Sequence, residues 1–204
     1  METTRYSRLA AGCEPLSCCS GLEGNLKPAN GDAVLDIGCG RGELLTRLAK
    51  RYGSAIRWVG VDAEPAMLDR ARELSTGLAV AWVLGDLEFL PFKTGEFSWV
   101  IGDCVFNHAV DKSSTAKEIF RVLRPGGRLV LADPASRDPL PAAIRSDPEQ
   151  RAACFGGCLT SDELKDVFEN VGFVGLEITK TREYIKNGYF FYAVQVTANK
   201  PEEI

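Results

Sequence analysis

A chain of 204 residues points to one domain, large enough to bury roughly 70% of its unfolded surface without disulfides or a structural metal. Hydrophobic residues make up 45% and charged residues 25%, and the net charge of −4 argues against the concentrated basic face that a nucleic-acid partner requires. The longest apolar stretches, such as Phe190 to Val196, are too short to span a bilayer, and METTRYSRLA lacks a signal peptide's apolar core. A cytoplasmic protein without membrane contact is therefore expected.

The first thirty residues are rich in Gly, Cys, Ser and Pro and end in the turn-forming cluster Lys27 to Asp32. They read as a loop or short helical lid (1–30) ahead of a main domain (31–204). Alternation then begins. Ala33 to Ile37 reads as a strand ending in glycines, and Leu44, Leu45, Leu48 and Ala49 carry a helical period. Trp58 to Val61 is the second strand, followed by a helix over Pro65 to Leu74 with Pro at its first turn. Ala79 to Leu84 and Phe97 to Ile101 are the third and fourth strands. A helix over Ser114 to Leu123 stops at Arg124-Pro125-Gly126-Gly127, and Arg128 to Ala132 is the fifth strand. After a loop without clear pattern, Thr160 to Asn170 is a helix, with Thr160 and Glu163 spaced as a capping box. Val174 to Thr181 and Tyr189 to Ala198 close the chain as two strands joined through Asn187-Gly188. Alternating strands and helices with Val/Ile/Leu-rich strands imply an α/β, Rossmann-like, doubly wound sheet, parallel except for an antiparallel edge.

Ligands of such sheets bind beyond the carboxyl ends of the strands, where strand order reverses. Asp36-Ile37-Gly38-Cys39-Gly40-Arg41-Gly42 fills that place after the first strand, with glycines where a ligand would approach the backbone closely. A dinucleotide fingerprint wants a third Gly where Glu43 stands. The carboxylate of Asp36 suits a cationic ligand better than a pyrophosphate. Asp62 ends the second strand, where it can accept both hydroxyls of a ribose, and Asp86 follows the third, where it can accept from an adenine amine. Each alone is an ordinary loop acid; three at consecutive strand ends form a pattern.

The segments VLDIGCGRG, VGVDAEPAMLDRAR, GDLEFLPF, FSWVI and RVLRPGGRLVLAD resemble, in order and spacing, the motifs of class I S-adenosylmethionine-dependent methyltransferases. The resemblance implies S-adenosylmethionine as cofactor and the strand order 3-2-1-4-5-7-6. It implies that Asp36, Gly38, Cys39 and Gly40 surround the methionine part and that Asp62, with Ala63 and Met67 beyond it, lines the ribose side. Asp86 and Leu87 would face the adenine, and Asp103 would border the methionine moiety and the acceptor pocket.

Seven cysteines is an odd and high count, and a reducing compartment would keep them as thiols. DCVFNHAVDK places Cys104 where the acceptor is expected, and DPEQRAACFGGCLTSDEL carries Cys154. Both segments resemble the cysteine segments of arsenite methyltransferases. By that resemblance Cys104 and Cys154 are arsenic(III) ligands, and the pair Cys18-Cys19 supplies a further sulfur, assigned here to Cys19 with Cys18 as the alternative. Thiolates are the matching soft donors for trivalent arsenic. Cys39, Cys13 and Cys158 read as small packing residues. Zinc fits poorly, because no pair of cysteines has the two-residue spacing of a knuckle and His108 is the single histidine. Two other readings stay open: a small-molecule C- or O-methyltransferase with His108 or Asp103 aiding deprotonation, and a non-catalytic metalloid-binding protein.

Overall fold

The computed structural model describes residues 21–202. Seven strands form one sheet: β1 (Ala33–Ile37), β2 (Arg57–Asp62), β3 (Val80–Leu84), β4 (Phe97–Asp103), β5 (Leu123–Ser136), β6 (Val174–Lys186) and β7 (Tyr189–Asn199). Their order is β3-β2-β1-β4-β5-β7-β6, as the motifs imply, with β7 antiparallel to both neighbours and every other pairing parallel. Strand order reverses between β1 and β4, so their carboxyl ends, Ile37 and Asp103, open the crevice where ligands of such sheets bind.

Period-two alternation in the strands builds two cores. On one face Leu35, Ile37, Val59, Val61, Val100, Leu129 and Leu131 pack with Ala116, Ile119, Leu164 and Phe168, which belong to helices α3 (Lys112–Val122) and α6 (Ser161–Glu169). On the other face Val34, Trp58, Trp99, Ile101, Val130 and Ala132 pack with Leu45, Leu48 and Ala49 of helix α1 (Glu43–Tyr52). Helix α2 (Pro65–Leu74), which starts with Pro at its first turn, buries Met67, Leu68 and Ala71. Leu22 and Leu26, from a 3-10 turn over Leu22–Asn25, are buried in the second core together with Cys104. Thus the described part of the first thirty residues is packed on the sheet.

Several bounds differ from the sequence reading. β5 is longer than Arg128 to Ala132 because it runs on through Asp133 to Ser136 beside Phe191 to Val194. It also begins earlier, at Leu123, with a register shift against β4 between Phe97 and Trp99. The patternless stretch after it holds two short helices, α4 (Ala142–Arg145) and α5 (Pro148–Ala152); the Asp147 carboxylate caps the latter by accepting from the amides of Glu149 and Gln150. Thr160 and Glu163 do form the capping box that starts α6, and Asn187 and Gly188, both with positive φ, make the β6–β7 turn. Among the described residues no helix is long and apolar enough to cross a membrane.

Candidate active site at the β1 and β4 carboxyl ends

A cleft and two cysteine segments adjoin the switch point. The cleft, of about 90 Å³, is lined by Asp36, Gly38, Cys39, Gly40, Arg41, Glu43, Leu44, Arg47 and Asp103. Its floor is Asp36, which is 2% exposed at the end of β1. Burial pushes the Asp36 carboxyl well above the usual range, the charges of Asp103 and Asp62 push it further, and Arg47 partly offsets them. Burial also raises Asp62, against the hydrogen bonds it accepts from Glu64 and Gly40. A cleft floored by clustered carboxyl groups fits a ligand bearing an ammonium and a sulfonium, whose positive charge favours their ionised form.

The loop between β1 and α1 is fixed from both sides. The Cys39 amide donates to the carbonyl of Val61 at 3.0 Å, and the Gly40 amide to Asp62 Oδ2 at 2.8 Å. Asp62 Oδ1 accepts from the Glu64 amide at 2.9 Å, and the Ala63 amide acts on the same carboxylate, so backbone donors orient it at the end of β2. Gly38 has φ +59, and a Cβ there would stand 2.1 Å from Val105 Cγ2. Its glycine is thus required by the segment after β4 as well as by any approaching ligand. Cys39 is buried, and its thiol is pushed up by burial and by Asp36 and Asp62, as befits a packing residue. Ala63 is exposed at the end of β2, whereas Met67 is buried in α2. Beyond β3, exposed Asp86 accepts from the Glu88 amide at 2.9 Å, and Leu87 beside it is half-buried.

The two cysteine segments pack on each other next to Asp103, a lining residue of the cleft. Cys104, 9% exposed, follows β4 directly, and its amide donates to Ala132 at 2.7 Å. Cys104 and Cys154 both have φ 56; with Asn187 of the hairpin turn they are the non-glycine residues in the left-handed region among those described. Such residues cost of order 1–3 kcal/mol and cluster at functional sites. Cys154 packs against the same core cluster that contains Cys104.

Asn107 joins the two segments. Its side chain is fully buried, and Nδ2 donates to the carbonyl of Pro134 at 2.7 Å, to Cys158 Sγ at 3.2 Å and, at the limit of contact, to Cys154 Sγ at 4.0 Å. Asp133, also buried, accepts from the amides of Phe106 and Asn107. The ammonium of Lys112 donates to the carbonyls of Asn107 and Ala109 at 3.1 and 2.6 Å; burial lowers its pKa to about 8, against the pull of Asp133. Gly157 presses on this node so closely that a Cβ would stand 1.7 Å from the Asn107 carbonyl oxygen. Cys158 is 1% exposed and its thiol donates to the carbonyl of Cys154 at 3.2 Å, which agrees with a packing role.

Asn107, Lys112 and Gly157 are not singled out by the motifs; the Asp111-Lys112 and Gly156-Gly157 pairs are the signals the sequence carries for them. No disulfide links two of the described cysteines, and no three ligating side chains among the described residues converge on one point. Cys13, Cys18 and Cys19 lie outside the described residues. His108 is half-buried next to Asn107.

Comparison with known proteins agrees with this geometry. A family described as "Methyltransferase domain" matches residues 28–172. An arsenite methyltransferase of Halobacterium salinarum is 32% identical over 186 residues, spanning 85% of this chain and 48% of the relative. An O-methyltransferase of Penicillium expansum is 31% identical over 165 residues, spanning 79% and 59%. Among solved structures, an arsenic(III) S-adenosylmethionine methyltransferase from Chlamydomonas reinhardtii is similar with a TM-score of 0.72 at 28% identity, over 97% of this chain and 73% of that one. The chain therefore spans only about half the length of the curated relatives named here.

Proposed function

The chain belongs to the methyltransferase-domain family, of the class I S-adenosylmethionine-dependent kind, and on that footing we propose that it methylates trivalent arsenic held by cysteine thiolates. The observation that carries this reading is the docking of the Cys154 segment on the turn after Cys104, through Asn107 and Gly157, beside the acid-lined cleft. Cys104 and Cys154 are the proposed arsenic ligands, and Cys19 or Cys18 the third. Leu22 shares the core cluster of Cys104, and Cys19 is three residues before it, a tether of about 10 Å when extended. The segment ahead of Leu22 would then act as a sulfur-bearing lid.

The cofactor supplies an electrophilic methyl group on a sulfonium. Asp36 and Asp103 would hold its amino-acid end against the Gly38-Cys39-Gly40 loop, with Asp62 and Ala63 on the ribose side, Met67 packed beneath them, and Asp86 and Leu87 toward the base. Sulfur ligands would leave the arsenic lone pair free to attack the methyl carbon as the carbon–sulfur bond breaks, giving a methylated arsenical and S-adenosylhomocysteine. No proton leaves the acceptor, so no general base is needed. Positioning the two reactants is the protein's main contribution, worth up to about 7–11 kcal/mol.

Trp99 belongs to the cluster that contains Cys104 and serves as a reporter. Arsenite is expected to change tryptophan emission saturably in the wild type, with Cys104→Ser and Cys154→Ser each losing the response while still binding S-adenosylhomocysteine. An unaltered titration in both variants would remove the thiol-ligand reading. The likeness to an O-methyltransferase over 79% of the chain favours a second reading, transfer to a small organic acceptor. In that case His108→Ala is the damaging change and the cysteine variants retain activity.

A further inference from the structure

We infer that Arg47 binds the carboxylate of the cofactor's amino-acid end, in exchange for Glu23. The inference rests on the reading that the acid-lined cleft takes S-adenosylmethionine, and it is independent of the methyl acceptor. An amino-acid end is a zwitterion, so a cleft that holds its ammonium needs a cation placed for its carboxylate. Two cations line the cleft, Arg41 and Arg47. Arg41 is buried, and its Nη2 is already bound to Glu43 at 2.8 Å, a residue of the same cleft wall. Arg47 lies on α1 at the mouth, with a side chain that is 58% exposed. Its Nε and Nη2 both reach Glu23 Oε1 at 3.0 Å.

The guanidinium fork of Arg47 is therefore engaged by the Glu23 carboxylate. It is planar and shaped for carboxylates, and an incoming one offers the same chemistry as Glu23. Exposed ion pairs of this kind are weak, so exchange meets little resistance. The positive charge of Arg47 also acts on Asp36 and lowers its pKa, which ties the guanidinium electrostatically to the floor of the cleft. Glu23 belongs to the 3-10 turn over Leu22–Asn25, so capture of the cofactor would release the hold of α1 on that turn.

Calorimetric titration of the full chain tests this with two ligands, S-adenosylhomocysteine and its analogue lacking the α-carboxylate. Arg47→Gln is expected to weaken S-adenosylhomocysteine about tenfold, the loss of one charge-assisted contact, and to leave the analogue unchanged. Glu23→Gln is expected to tighten S-adenosylhomocysteine by up to about threefold, as removal of a weak competitor allows, again without effect on the analogue. Equal weakening of both ligands by Arg47→Gln, no weakening of either, or a carboxylate-specific loss in Arg41→Gln instead would each overturn the inference. Failure of the wild type to bind either ligand is a separate result, which overturns the cofactor assignment and the inference with it.

Discussion

Asp36 shows how the site sets function against stability. Buried beneath the glycine loop and facing Asp62 and Asp103, its carboxyl titrates well above the usual range. The folded chain keeps this proton at pH values where the unfolded chain has lost it. Its contribution to stability is therefore greatest below the ordinary aspartate pKa and declines as pH rises toward the raised one. Asp36→Asn is expected to raise the Tm at neutral pH by a few degrees, since 1 kcal/mol is about 2–4 °C for a domain of this size. The same change should weaken cofactor binding by about 1.5–3 kcal/mol, the worth of a hydrogen bond to a charged group. In the wild type, cofactor affinity should climb with pH through the raised pKa and then level off; calorimetry in buffers of different ionisation enthalpy would detect the released proton, and Asp36→Asn should abolish it. At Gly157 a methyl group would collide with the Asn107 carbonyl, so Gly157→Ala is expected to cost about 1–3 kcal/mol and to displace Cys154. Thermal melts and arsenite titration of that variant would report the two effects separately. The acids at the strand ends were legible in the sequence because loop position and residue type define them. The Asn107 node was not, since its contacts join residues about fifty positions apart and leave no local pattern.

At the scale of elements, each of the seven strands was legible from apolar runs bounded by turn residues, and the capping box and the Asn187-Gly188 turn announced α6 and the terminal hairpin. Helices α4 and α5 were not, because four and five residues hold less than two helical turns and show no periodicity. Their order comes from contacts: Arg145 donates to the carbonyl of Leu140 and to Glu163, and the Asp147 cap starts α5. These elements carry the Cys154 segment, which α6 holds from the other side. Thr160→Ala, which removes the α6 N-cap two residues after Cys158, should cost about 1 kcal/mol and lower the Tm accordingly. If Cys154 is a ligand, arsenite affinity should fall with it. An equal loss of stability with unchanged arsenite affinity would show that the segment is held independently of α6.

Considered whole, the molecule is a sheet whose order reversal brings an acid-floored cleft and two packed cysteine segments to one rim, with Asp103 lining the first and Cys104 beginning the second. Leu22 and Leu26 anchor the start of the described chain on the face that carries Cys104. The decisive measurement is production of S-adenosylhomocysteine by the purified, reduced chain with and without arsenite, with mass-spectrometric detection of the arsenic product. Turnover that requires arsenite, yields methylated arsenic and disappears in Cys104→Ser and Cys154→Ser is the expected result. Arsenite methylation that persists in both variants, or turnover with an organic acceptor and none with arsenite, would contradict it.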